Sequence, residues 1–207
     1  MTVETSTLTE RRKAATERDI AAAAAALFAE QSVAGVTAEQ IAVRAGVSVR
    51  TFYRYFARKE DAVAPILSFG ARRWQEAFAQ VGERSLREQV PAVIRAQLAE
   101  GSPAEGDPSL GEGLELETML GVLRGLDDDT AMRDVWLRVN DDSERRLREI
   151  LQERGVTVWE SRLIAAVATA AIRVGLEQWA ADPEGPRPAV RAVDAFQVMS
   201  QGLRGLD

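Results

Sequence analysis

The chain has neither cysteine nor histidine among its 207 residues. The first absence excludes disulfides, thiolate nucleophiles and cysteine-ligated metals, and the second removes imidazole as general base and as zinc ligand. Any catalysis would rest on Asp/Glu, Lys, Tyr and Ser/Thr, and lysine is confined to Lys13 and Lys59. Long hydrophobic runs are also missing. No apolar segment approaches the roughly 20 residues that span a bilayer. The opening MTVETSTLTERRK lacks the apolar stretch a signal peptide needs. A cytoplasmic location without a membrane partner is the resulting expectation. Aromatics are scarce, at 6%.

Hydrophobic residues make up 46% and charged residues 28%, as in ordinary globular proteins, and the length suits one or two domains. The net charge of −6 argues against a nucleic-acid partner. Its distribution argues the other way: residues 1–60 carry +2 and the remainder −8. A basic tip on an acidic body orients a protein approaching phosphate.

Helical periodicity dominates, so the fold class expected is all-α. RRKAATERDIAAAAAALFAEQ has high helix propensity and sets Ile20, Ala24, Leu27 and Phe28 on one face. VAGV breaks that helix. Thr37 with Gln40 fits a capping box opening a short second helix, with Ile41, Ala42 and Ala45 on its buried side. Gly46 ends it in the left-handed region, and Ser48 is a natural N-cap for a third helix. Further helices are expected over 59–82, 86–100, 109–124, 128–153, 157–181 and 187–204. Breaks fall at Gly82, EGSPAEGDPS, GLDDD, Gly155 and DPEGPRP, and 101–109 reads as a mobile loop. Pro65 lies inside the first of these helices, so a kink or local break is expected there, and with it a hinge; the alternative is a helix that starts later.

The stretch AGVSVRTFYRYF stands out. Four of the chain's few aromatics fall within five positions, including both of its tyrosines, Tyr53 and Tyr55. On a helix, Phe52 and Phe56 form a buried stripe with Val49 near it. Arg50 and Arg54 lie opposite, and the tyrosines flank the stripe. Arginine can bond guanine O6 and N7 in the major groove, and hydroxyls can hold phosphates. With the capped helix and glycine turn before it, this segment has helix–turn–helix spacing. The competing reading is a packing helix whose arginines are merely solvated.

VTAEQIAVRAGVSVRTFYRYFARKEDAV closely resembles the N-terminal domain of TetR-family transcriptional regulators. The resemblance covers about residues 11–65 and rests on Thr37, Ile41-Ala42, Ala45-Gly46-Val47, Thr51-Phe52-Tyr53, Tyr55-Phe56 and Lys59-Glu60. It implies an all-helical homodimer with a three-helix DNA-binding domain, here residues 1–60. A ligand-binding and dimerisation domain would follow over 61–207. The implied partners are double-stranded DNA with a palindromic operator and a small-molecule effector. No cofactor is implied. Carried over residue by residue, Thr37 touches phosphate. Ser48, Val49, Arg50 and Thr51 enter the major groove, with Arg50 the chief base reader and Arg54 one turn further in. Tyr53, Tyr55 and Lys59 hold the DNA backbone, Lys59 from the start of the fourth helix. Val49 is apolar where many relatives are polar, which suits a thymine methyl. Glu39 is acidic where relatives are basic or neutral, and either discourages a phosphate contact or complements its own helix N-terminus.

Beyond about residue 70 the resemblance weakens. The stretches WLRVNDDSERRLREIL and VATAAIRVGLEQW look like sensor domains of actinobacterial members proposed to bind acyl-CoA-like molecules. Leu114, Leu116, Met119, Leu120, Leu123, Trp136, Leu137 and Trp159 form either plain core or the wall of an apolar pocket. Arg173 either meets an acidic ligand or partner carboxylate, or pairs with Glu177 one turn on. Ala168, Ile172 and Gly175 allow close helix approach, at a dimer interface shared with the last helix or within one chain. Two classes compete with a regulator. Asp127–Asp129 and Asp141-Asp142 are the only dense carboxylates, through which a metal-dependent enzyme could work; GEG at 111–113 lacks any strand or phosphate-loop context. A helical protein-interaction module is the other.

Overall fold

The computed structural model describes residues 8–80, 85–98 and 116–201, and every regular element among them is helical. The expected breaks at Gly82 and 101–109, the GEG triplet, Leu114 and the end of the last helix beyond 201 lie outside the described residues.

Alanine's low helix cost carries α1 (Leu8–Glu30), whose buried face runs from Ile20 to Phe28. A short 3-10 turn, Val33–Gly35, reverses the chain into α2 (Ala38–Arg44). The capping box forms as the sequence suggests. The Gln40 N–H donates to Thr37 Oγ1 at 3.2 Å, and the Thr37 N–H donates to Gln40 Oε1 at 2.7 Å. Gly46 takes φ 67°, a conformation that costs a residue with a Cβ, and so turns the chain into α3 (Val49–Tyr55). The Glu30 carboxylate accepts both Nη groups of Arg44 at 2.6 and 2.7 Å, tying the ends of α1 and α2 together.

Pro65 requires a correction. A 3-10 turn, Glu60–Val63, separates α3 from α4 (Ala64–Gln80), so the proline stands in the first turn of a helix that starts late. Its missing N–H is an orphan there in any case, so the proline is tolerated. The proline inside a helix is Pro91, within α5 (Leu86–Leu98).

The remaining helices are α6 (Leu116–Arg124), α7 (Thr130–Glu153), α8 (Val158–Ala181) and α9 (Pro188–Met199). Asp129 caps α7 by accepting the Met132 N–H at 2.9 Å, and Thr157 caps α8 by accepting the Glu160 N–H at 3.2 Å. Gly155, at φ 84°, makes the turn between them.

Two apolar clusters hold the helices. The larger joins α1, α2 and Phe52 to α6, the first half of α7 and the last turns of α8, so it runs across residue 60. The smaller packs α4, α5, α8 and α9 around Phe78, Ile94, Leu147, Leu151 and Phe196. Full burial of each large side chain contributes about 1.5–3 kcal/mol. Glycines set the closest approaches. A Cβ on Gly121 of α6 would lie 2.4 Å from that of Ala29 on α1, and one on Gly125 would lie 2.7 Å from Val33 Cγ2. A Cβ on Gly175 of α8 would lie 2.7 Å from the Cβ and the N of Ala192 on α9. Gly175 and the fully buried Ala168 therefore serve packing within one chain. Contrary to the expectation that no segment is apolar over a bilayer's span, α8 is long and apolar enough to cross a membrane by length and composition, because its few charges are widely spaced; half of its most apolar window is buried inside the fold.

Candidate nucleic-acid interface

Seven residues make α3, and only Phe52 among them is buried. Its ring meets that of Tyr53 edge-on at 5.3 Å and that of Phe56 at 5.8 Å. Arg50, Tyr53 and Arg54 point outward, while Tyr55 and Val49 are half-buried and lean on the larger cluster. The Arg54 guanidinium lies over the Tyr55 ring, 5.4 Å from its centroid, which holds that charge toward one flank. Arg50 makes no ion pair among the described residues, so its planar fork is available for a base edge.

Hydroxyls frame this basic surface. Ser48 Oγ accepts the Thr51 N–H at 3.0 Å and shares a hydrogen bond with Thr51 Oγ1 at 2.9 Å. Two hydroxyls sharing one bond leave one proton to donate outward. Thr37 is similar: its oxygen is occupied as N-cap acceptor, and its O–H remains on an exposed residue. Such groups suit phosphate oxygens. Glu39 sits in the first turn of α2, where its charge complements the helix end.

Lys59 departs from expectation. It does not open the fourth helix but precedes the 3-10 turn at Glu60, and its ammonium points inward. Nζ donates to the carbonyl oxygens of Val33 and Val36 at 2.7 and 2.8 Å and lies 3.8 Å from Glu60 Oε1. Two of its three N–H groups thus satisfy carbonyls in the turn before α2, and the third faces a carboxylate. Its structural role is to pin the α1–α2 turn to the exit of α3. A lysine after an aromatic helix gave no sequence signal of this, because the two carbonyls lie more than 20 residues away.

The neighbouring Asp61 links the head, helices α1 to α3, to the body formed by the later helices. It accepts from Arg58 at 3.2 Å and from Arg138 of α7 at 2.8 Å. Burial pushes its carboxyl up, but the two guanidinium hydrogen bonds outweigh this, and the net effect is a pKa below the ordinary value. Sequence reasoning missed this contact, since nothing local marks Arg138.

Candidate effector residues divide. Leu120, Leu123 and Trp136 are buried in the larger cluster and Met119 packs against it, so they stand together. The side chain of Leu116 lies outside the described residues. Leu137 and Trp159 do not join them: they are 46% and 69% exposed, because α7 and α8 turn those positions outward. Arg173 pairs with Glu177, whose Oε2 is 3.1 Å from Nη1, and Glu177 also accepts the Trp136 indole N–H at 2.7 Å. The aspartate clusters have structural partners. Asp127 pairs with Arg133, Asp129 caps α7, and Asp141 and Asp142 pair with Arg145. Among the described residues no three carboxylates gather as a metal site.

A capped helix–turn–helix with an outward basic helix, seated on a helical body, defines a DNA-binding regulator. The model for bacterial regulatory proteins of the tetR family matches residues 20–64. The HTH-type transcriptional regulator TcmR of Streptomyces glaucescens is 30% identical over 183 residues, covering 83% of this chain and 76% of TcmR. The chain belongs to the TetR family. Among solved structures, a TetR-family regulator from Syntrophomonas wolfei shares the fold with a TM-score of 0.63 at 15% identity, over 93% of this chain and 96% of that one. The Thermus thermophilus repressor FadR, in complex with lauroyl-CoA, does so at 0.55 and 24%, over 90% and 94%.

Proposed function

We propose that this regulator is a homodimeric repressor, that its two α3 helices read the half-sites of a palindromic operator, and that a small apolar or acyl-type molecule releases it. The observation that carries the DNA part is the division of α3: Phe52 holds the helix to the core while Arg50 stands outward, without an ion-pair partner among the described residues, framed by the Ser48, Thr51 and Thr37 hydroxyls. Arg50 reads a base, Tyr53 and Tyr55 hold backbone, and Val49 meets a thymine methyl at the groove edge. Dimerisation uses the outward faces of α8 and α9, where Val174, Val190, Val198 and Met199 are exposed.

Release follows from the seating of α6. One face of this helix carries Met119, Leu120 and Leu123; Gly121 and Gly125 lie against Ala29 and Val33. A ligand that displaces α6 therefore moves the α1–α2 turn, which Lys59 couples to the exit of α3. DNA must then weaken ligand binding by the same factor by which ligand weakens DNA binding. The likeness to FadR, solved with lauroyl-CoA, supports an acyl-type effector.

The test is fluorescence anisotropy on DNA flanking the protein's own gene, titrated with salt against a scrambled duplex. Selective binding that falls steeply with salt is expected. Arg50→Ala should weaken the cognate site by about 1–3 kcal/mol and relax one base position. Equal weakening on every duplex would make Arg50 a phosphate contact and overturn its role as reader.

A further inference from the structure

Helices α7 and α8 form an antiparallel hairpin whose register two hydrogen bonds fix. Trp136 Nε1 donates to Glu177 Oε1 at 2.7 Å near one end, and Gln152 Nε2 donates to Ser161 Oγ at 3.0 Å near the other. Both pairs belong to one register, which sets Asn140 level with Arg173 and Glu144 level with Thr169. On α8, Thr169, Arg173 and Glu177 follow at one-turn spacing and share a face. On α7, Trp136, Asn140 and Ser143 do the same. Ser143 is buried and accepts Gln75 Nε2 of α4, through its backbone O at 3.0 Å and through Oγ at 2.9 Å. A polar seam therefore runs through an otherwise apolar body. It lies where the two clusters meet, and Ile172, beside it, packs against both.

One member of the seam is unsatisfied. Thr169 is 6% exposed, and its Oγ1 is buried without a hydrogen-bond partner among the described residues. A threonine on a helix can ordinarily bond the carbonyl a turn back, so a buried hydroxyl left unpaired carries a cost that valine at this position would avoid. Arg173, one turn on, uses Nη1 for both oxygens of Glu177, at 3.1 and 3.3 Å, which leaves Nε and Nη2 to donate elsewhere. The seam thus offers unused donors. Its charge is already compensated, because Glu177 neutralises Arg173, and Glu144, half-buried at the level of Thr169, adds a second carboxylate. Donors without net positive charge suit a neutral oxygen acceptor and disfavour a carboxylate or sulfonate.

We infer that Thr169 and Arg173 form a polar subsite of the effector site and receive the neutral carbonyl oxygen (ketone, quinone, ester or thioester) of a largely apolar ligand. This rests on the reading of the body as effector-binding and narrows the effector to uncharged carbonyl compounds at the end that enters the seam. The Thr169 hydroxyl and an Arg173 N–H donate to that oxygen, and the apolar remainder lies among Ile172 and the facing side chains of the larger cluster.

The probe is prodan, a neutral naphthyl ketone whose emission moves to the red when its carbonyl accepts a hydrogen bond. Binding to the full-length protein should saturate, with hydrogen-bonded emission, and should be at least tenfold tighter than that of the anionic dye anilinonaphthalene sulfonate. Thr169→Val should weaken prodan several-fold and shift the bound emission to the blue while raising the melting temperature. Thr169→Ser should retain affinity and emission. A packing role alone would leave the emission of the Val variant unchanged. That result, an absence of saturable prodan binding, or tighter binding of the sulfonate each overturns the subsite. Operator anisotropy at saturating prodan separates the two readings: the full spectral signature with unchanged DNA affinity supports the subsite while removing the effector role given to the body.

Discussion

Helices α3 and α8 divide their surfaces by opposite rules. Seven residues make α3, and one of them, Phe52, is buried, with Val49 and Tyr55 half-buried beside it; Arg50, Tyr53 and Arg54 are display, held in place by Gly46 and the hydroxyl cap of Ser48. Of the 24 residues of α8, ten are buried, and its small side chains are used inward, against α9. A surface that meets a large, regular polyanion can be specified by a short local motif, because its partner supplies the order. A body that receives a small molecule must surround it, so its specificity lies in positions that are distant in sequence.

The comparison breaks most sharply at Phe52. Phe52→Ala should lower the stability of the whole protein by about 3–5 kcal/mol in urea denaturation. Arg50→Ala, two residues away, should leave the urea midpoint within error and change only DNA affinity. A shared loss of stability would mean that the display face of α3 is also structural. Gly121→Ala comes next: its Cβ would meet Ala29, and overpacking of this kind costs about 1–3 kcal/mol. The predicted signature is weakened operator binding at temperatures where circular dichroism still reports full helicity. Intact DNA affinity would disconnect α6 from the head.

Lys59→Met should cost about 1–3 kcal/mol, as two inward carbonyls lose their donor. Its salt dependence of DNA binding should match the wild type, whereas a phosphate contact would reduce the slope by about one. The smallest effect belongs to Asp61. Its carboxyl is held below the ordinary value, so its contribution is complete above the unfolded pKa and is lost as pH falls through the folded one. Asp61→Asn should therefore cost a few tenths to about 1 kcal/mol at pH 7. The gap from wild type should close as pH drops below about 4. A gap that persists at low pH would show that the Arg58–Asp61–Arg138 link acts by shape rather than by charge.

Much of the head was legible in the chain itself. The capping box at Thr37 and Gln40, the left-handed Gly46 and the Ser48 cap each need only residues within four positions of one another. The aromatic stripe of α3 follows from helical spacing. The same local reading failed at Lys59, whose partners Val33 and Val36 are near only after the chain folds back. At Pro65 it left a kink and a later helix start both open, and the 3-10 turn over the four residues before α4 decides for the later start. In the body, Leu120, Leu123 and Trp136 fall in one cluster, whereas Trp159, read together with them, stays outside it. The rotation of α8 against its neighbours turns that residue to the outside, and rotation is a property of packing.

By itself, then, the sequence determined the all-helical fold, the caps and turns of the head and the outward arginine of α3, since each depends on short-range geometry. Tertiary structure alone decided that Lys59 points inward, that Gly121 and Gly125 seat the body on the head, and that Thr169, one turn before Arg173, is buried with its hydroxyl unpaired among the described residues. Those depend on which helix faces cross and in what register, and backbone spacing along one segment does not contain that information.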